Sequence, residues 1–350
     1  MGQTLSRRDS VTATLDLTDG ASSTDSLQER VLVVGGGNFG TCLADHLADK
    51  GNSVTIWARD QSLVDGIMND HINHKYIPGI QLSPGLKATS VLDANTIQSA
   101  TVIIMSIPTQ YMRSILEKIR DHLTVNQLLV FVNKGIEESS GLLPNDIAIQ
   151  VCGIEIGERA AFLSGPSFAA EVVKRQPRLF HAPHFRVYEI HDTIGVEVAG
   201  ALKNVIALAA GACAGVGFQM NSRAALITRG LAELARFGVA LGANPLTFAG
   251  LSGVGDLLLT CTSEKSRNFT VGYRIGKGET LEEIITSLGS VAEGVATTKA
   301  AYALARKLNV DSPITDEVYA VLFEKKPVKQ AMKDLMERDP SEEMRGIHIE

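Results

Sequence analysis

Gly35-Gly36-Gly37-Asn38-Phe39-Gly40 stands directly between a short β-branched run, Val31-Leu32-Val33-Val34, and an amphipathic stretch from Phe39 to Lys50. Strand, glycine turn and helix in that order constrain the chain more than any other feature, because three of the glycines answer separate steric demands. Gly35 permits the tight turn, Gly37 lets the backbone approach a pyrophosphate, and Gly40 allows helix and strand to pack closely. The helix N-terminus then offers N–H groups and the positive end of its dipole to an anion. A second run, Ser53 to Trp57, completes a βαβ unit, and Thr101 to Ile107 and Leu128 to Val132 read as further buried parallel strands. The pattern predicts a Rossmann-type, doubly wound α/β domain over 29–192 that binds NAD or NADP.

After about Asp192 the strand signals stop. Ala- and Leu-rich helical patterns follow over Ile194–Gly215, Arg223–Gly242, Leu281–Leu288, Thr297–Leu308 and Thr315–Phe323, so an all-helical domain is expected over 193–345. Two domains also suit 350 residues with 45% hydrophobic content. The most apolar stretch, Ile194 to Met220, carries Glu197 and Lys203 and reads as a core helix rather than a bilayer span. Residues 1–28 are polar and form a tail too poor in apolar groups to order itself. The tail opens with Gly2 and has Ser6 followed by Arg7 and Arg8, the pattern of an N-myristoylation site, which by itself supports only weak, reversible membrane attachment.

A net charge of −6 provides no broad cationic surface, so sequence-independent nucleic-acid binding is excluded and any phosphate is bound locally. Cys42, Cys152, Cys213 and Cys261 form no CxxC pair, which speaks against a metal site or a disulfide framework and for a reducing, cytoplasmic setting.

The acid that takes an adenine ribose should lie about 20 residues beyond the glycines. Trp57-Ala58-Arg59-Asp60 stands there instead, with Arg59 placed to accompany a 2′-phosphate and Asp60 one residue late, so NADP is allowed and NAD is not excluded. Lys203 is the only basic side chain between Thr193 and Ser222, inside the apolar run Gly200 to Ile206. A buried lysine loses charge stabilisation and becomes a usable acid or base near neutral pH; the alternative is a lysine that snorkels out or pairs with Glu197. Lys134 follows a predicted strand at its C-terminal end, where ligands of open α/β sheets gather. Asp256 and Thr260 share a helix face, and Arg267 beside Asn268 suits a phosphate.

In order, GGGNFGT, WARD, SIPTQ, NKGIE, SGPSFAAE, ALKN, GVGDLLLTCTSEKSRN and VAEGVATT resemble the glycerol-3-phosphate dehydrogenases in their bacterial-type form, over nearly everything from Arg30 to Pro340. The resemblance implies hydride transfer between dihydroxyacetone phosphate and glycerol 3-phosphate with NAD or NADP, and a homodimer. It makes Lys203 the general acid/base and Lys134 a substrate, cofactor and electrostatic contact. Asn204, Asp256, Thr260 and Asn268 would surround the triose phosphate, Arg267 would reach both phosphate and cofactor, and Gly165 and Ser167 would border the substrate. Gly35, Gly37, Asn38, Phe39, Gly40, Arg59, Pro108, Ala169, Val291 and Glu293 would line the cofactor. The β-hydroxyacid dehydrogenases are the enzymatic rival, but lack the Asp256 and Arg267-Asn268 segments in this form. Between Ser167 and Tyr188 the chain is shorter than is usual for the family, as though a strand and helix were lost near Pro177. The first domain is therefore expected to be under-packed there, and an inactive cofactor-binding member is the non-enzymatic alternative.

Overall fold

The computed structural model describes residues 28–167, 169, 187–288, 292–340, 342–343 and 345–347. The tail with Gly2, the shortened stretch around Pro177 and Val291 lie outside them.

The first half is one parallel sheet of six strands in the order β3-β2-β1-β4-β5-β6, made of Arg30–Val34, Ser53–Trp57, Lys87–Thr89, Val102–Met105, Leu128–Phe131 and Ala161–Phe162 numbered in chain order. β1 lies at the centre because its residues 31–34 are apolar on both faces and fully buried. It pairs Val31 with both Val54 and Val102. The order reverses between β1 and β4, which opens the crevice where open α/β sheets hold their ligands. Helices α1 (Asn38–Asp49), α2 (Gln61–Asp65), α3 (Ala94–Gln98), α4 (Thr109–Ile119), α5 (Pro144–Cys152) and α6 (Ile154–Gly157) accompany the sheet, whose two faces build separate cores around Val33 and Ile56 and around Leu32 and Phe131. The expected strands at 101–107 and 128–132 are thus each trimmed at their ends. β3 and β6, of three and two residues, carry too little periodicity to be read from sequence.

From Thr193 onward the described residues are helical: α7 (Thr193–Val216), α8 (Met220–Ala240), α9 (Asp256–Thr262), α10 (Arg267–Gly276), α11 (Leu281–Leu288), α12 (Glu293–Leu308), α13 (Pro313–Phe323) and α14 (Val328–Met336). By length and composition α7 could cross a bilayer, but α8, α9, α10 and α12 pack around it and it forms the core of this half. Its start is fixed by Asp192, whose side chain accepts from the Gly195 amide at 2.9 Å and from Thr247 Oγ1 at 2.6 Å. Cys42, Cys152, Cys213 and Cys261 are all outside disulfides.

Candidate active site

Gly35 has φ +122°, and a Cβ there would meet the Ser106 carbonyl oxygen at 2.3 Å, so β1 can turn into α1 only through glycine. Gly40 packs against the same turn. Gly37 is different: a Cβ there meets nothing within 4 Å, and α1 begins with no side-chain cap on its first amides. Open space before uncapped N–H groups is the cradle a pyrophosphate requires, so these residues fit a dinucleotide. Asn38 is exposed at the helix start and Phe39 half-buried beside it. Arg59 is exposed just past the end of β2, whereas the Asp60 carboxylate is occupied as the cap of α2, accepting from Ser62 N at 3.1 Å and contacting Lys75. Asp60 therefore lies late in sequence and is also engaged elsewhere.

Across the crevice, α7 and α9 bring the polar groups together. α9 is reached through a π-helical turn over Leu251–Gly255, in which a side chain at Gly253 would strike the Phe248 carbonyl oxygen at 2.0 Å. This close approach aims the first residue of α9, Asp256, into the interior, where it is 1% exposed. Its Oδ1 takes Lys203 Nζ at 2.5 Å and its Oδ2 takes Lys134 Nζ at 2.8 Å. Lys203 Nζ also donates to Thr260 Oγ1 at 2.9 Å, and that hydroxyl donates to Asp256 O, one helical turn back. Lys203 neither snorkels nor pairs with Glu197, whose Oε1 accepts from the Asn145 amide instead. The Lys134 stem crosses Gly200, and its ammonium reaches Gly165 O at 3.4 Å, the carbonyl that also accepts from Ser167 Oγ.

Burial pushes the Lys203 ammonium down to about 8, helped by the like charge of Lys134 and opposed by Asp256. Burial alone would raise Asp256, but the two ammonium groups outweigh it and hold the carboxyl below its ordinary range. One carboxylate between two lysines thus keeps one unit of positive charge in a water-poor site, suited to an anionic oxygen. The buried hydroxyls of Ser164, Thr109 and Thr297 have no hydrogen-bond partner in the structure described and lie by Gly200 and Gly135 beside this charge, where a polyhydroxyl substrate would satisfy them.

Asn204 gives one amide proton to Lys134 O at 3.0 Å, which leaves its carbonyl oxygen for other contacts. Asn268 Oδ1 accepts from the Gly294 amide, joining α10 to α12. Arg267 stands exposed at the first position of α10 after the capping hydroxyl of Ser266, and its positive field acts on Glu293. Glu293, whose carboxyl is pushed up by burial, accepts from the Thr109 amide at 3.2 Å beside Pro108, so the two halves meet here. Ala169 O receives the Cys42 thiol of α1. Among the sequence-selected residues that can be located, Lys203, Lys134, Asp256, Thr260, Asn204, Gly165 and Ser167 form one cluster, and the glycine turn forms the cradle, with Arg59 exposed past the end of β2. Thr109, Arg113 and Glu137 were missed although they fall in or near quoted motifs; Arg113 and Glu137 contact each other across 24 positions, which no local spacing reveals.

Two family models match the chain: the NAD-dependent glycerol-3-phosphate dehydrogenase N-terminus over residues 30–182 and the C-terminus over 192–333. A glycerol-3-phosphate dehydrogenase [NAD(P)+] of Geobacter metallireducens is 45% identical over 332 residues, covering 90% of this chain and 99% of that protein. Its namesake from Staphylococcus aureus is 43% identical over 331 residues with the same coverage. The crystal structure of glycerol-3-phosphate dehydrogenase from Coxiella burnetii superposes with a TM-score of 0.83 at 31% identity, covering 89% of this chain and 99% of that one.

Proposed function

The chain belongs to the NAD-dependent glycerol-3-phosphate dehydrogenase family, and from that membership we propose that it interconverts dihydroxyacetone phosphate and glycerol 3-phosphate, with Lys203 moving the proton. The observation that carries this reading is the pair of lysines on one buried Asp256. Bound NAD(P) supplies or takes up the hydride at the substrate carbon. Gly35 to Gly40 and the first turn of α1 would hold its pyrophosphate, with Arg59 by the adenosine, and Pro108, Ala169 and Glu293 along the rest of the crevice. In reduction Lys203 gives its proton to the developing alkoxide oxygen, while Lys134 offsets that oxygen's charge. In oxidation neutral Lys203 accepts the hydroxyl proton. Asn204, Thr260 and Asn268 orient the substrate, and Arg267 grips its phosphate. The same reading takes the working form as a cytoplasmic homodimer, with four cysteines outside disulfides in keeping with a reducing compartment.

The test is oxidation of NADH and of NADPH by purified protein with dihydroxyacetone phosphate, followed across pH. Reduction needs the ammonium form of Lys203, so kcat/KM is expected to be level at low pH and to fall above about 8. Oxidation of glycerol 3-phosphate needs the neutral amine and is expected to rise through the same region. The absence of turnover with either cofactor, in protein that still binds it, would favour the inactive reading.

Arg267→Lys keeps the charge but loses the planar fork. KM for the triose phosphate or for the cofactor should rise several-fold at unchanged melting temperature. Wild-type values for both would remove Arg267 from the phosphate site.

A further inference from the structure

The loop that carries Lys134 is fastened by a latch that lies outside the site itself. Glu137, three residues beyond Lys134 and 4% exposed, receives Arg113 of α4 in a bidentate pair, Nε to Oε1 at 3.0 Å and Nη2 to Oε2 at 2.7 Å. Ser140 Oγ donates to the same carboxylate at 2.5 Å. One turn earlier on α4, Gln110 clamps the loop backbone, giving its Nε2 proton to Ile136 O at 2.8 Å and accepting from the Glu138 amide at 2.9 Å. From the other side Asn204 holds Lys134 O, and Ile136 is buried in the core of the helical half. The backbone at 134, 136 and 138 is thus gripped by side chains; Glu137 is the buried charged anchor of the loop, and Glu138 beside it adds a half-exposed pair with Lys299 at 3.2 Å.

Partly buried ion pairs add little net stability over well-packed apolar groups, but they fix geometry, and a bidentate pair does so most tightly. The geometry at stake is narrow. Lys134 meets Asp256 at 2.8 Å, and a shift of about 1 Å at such a group can cost about 10²-fold in rate. We propose that Glu137, held by Arg113, is a positioning residue for Lys134: it sets the loop over α7 so that the Lys134 ammonium stays on Asp256 beside Lys203. This rests on the charge-offsetting role given to Lys134 above.

Glu137→Gln keeps the size and an acceptor but removes the charge and the bidentate pair. The expected result is a fall in kcat of about tenfold or more with cofactor Kd unchanged. The pH break of reduction should also move upward, because the Lys134 charge that depresses Lys203 has moved away. The groups that face Lys203 are Lys134, Asp256, Thr260, the Cys261 thiol and, from α12, the buried Glu293 carboxyl, none of which is altered in this variant. In a Lys134→Ala background the Glu137→Gln change should add no further loss, as expected for residues acting through one another. A wild-type kcat and pH break in Glu137→Gln, or a loss that multiplies in full on Lys134→Ala, overturns the proposal while leaving Lys134 in place. Wild-type turnover in Lys134→Ala alone removes the role of Lys134, and the proposal with it. Should Glu137→Gln not fold, Arg113→Lys retains the charge without the fork and should show a smaller upward shift; no shift there is equally decisive against it.

Discussion

Replacing Lys203 by Ala is expected to lower kcat for dihydroxyacetone phosphate reduction by about 10²–10⁴, the usual contribution of one placed proton donor, while NADPH binding persists. Cofactor binding survives because the cradle at Gly35 to Gly40 is built from β1 and α1, and no hydrogen bond joins it to Lys203. Lys203→Arg separates the two services the residue could provide. Arginine keeps a positive charge against Asp256 yet does not release a proton near neutral pH. If Lys203 acts by proton transfer, the Arg variant should be nearly as slow as the Ala variant, and its pH break near 8 should vanish. If the residue serves only as a charge, Lys203→Arg should recover most of the rate. An unchanged kcat in folded Lys203→Ala removes the residue from the mechanism.

Asp256→Asn should be the most damaging conservative change to the fold. The carboxylate is 1% exposed and is the shared counter-ion of two largely buried ammonium groups. Removing one partner of a buried ionic cluster costs about 3–5 kcal/mol, or a melting temperature lower by about 4–7 °C for a chain of this size. The deficit should depend on pH. Without Asp256 the protonated lysines repel and are poorly solvated, so the penalty is largest at low pH, where both are charged, and shrinks as pH rises and Lys203 releases its proton. Loss of the negative charge also lets Lys203 fall further below about 8, so the break in reduction should move downward, opposite to the shift expected for Glu137→Gln. Calorimetry at pH 6 and pH 9 with matched rate profiles checks both. A melting temperature within 2 °C of wild type at both pH values would show that the lysines do not depend on Asp256.

Local physics fixed the cradle in advance. A β-branched run, glycines and an amphipathic segment in immediate succession leave few conformations, and Gly35 at positive φ against the Ser106 carbonyl is the expected steric outcome. The long helices of the second half were legible for a similar reason, since long apolar periodicity such as that of α7 survives misplacement of its ends by a residue, whereas the short helices α10 and α14 were not read. An isolated lysine in an apolar run was enough to mark Lys203. The sequence could not say that its partner is Asp256, because the contact is made by two helices brought together only when the helical core closes around α7. Nor could it show that Asp256 bridges both lysines, that Asp60 is consumed as a helix cap, or that Glu137 is latched to Arg113. A chain's own neighbours set its backbone preferences, whereas the energy of a buried charge depends on which other charges share its low-dielectric surroundings, and those are chosen only by the tertiary fold.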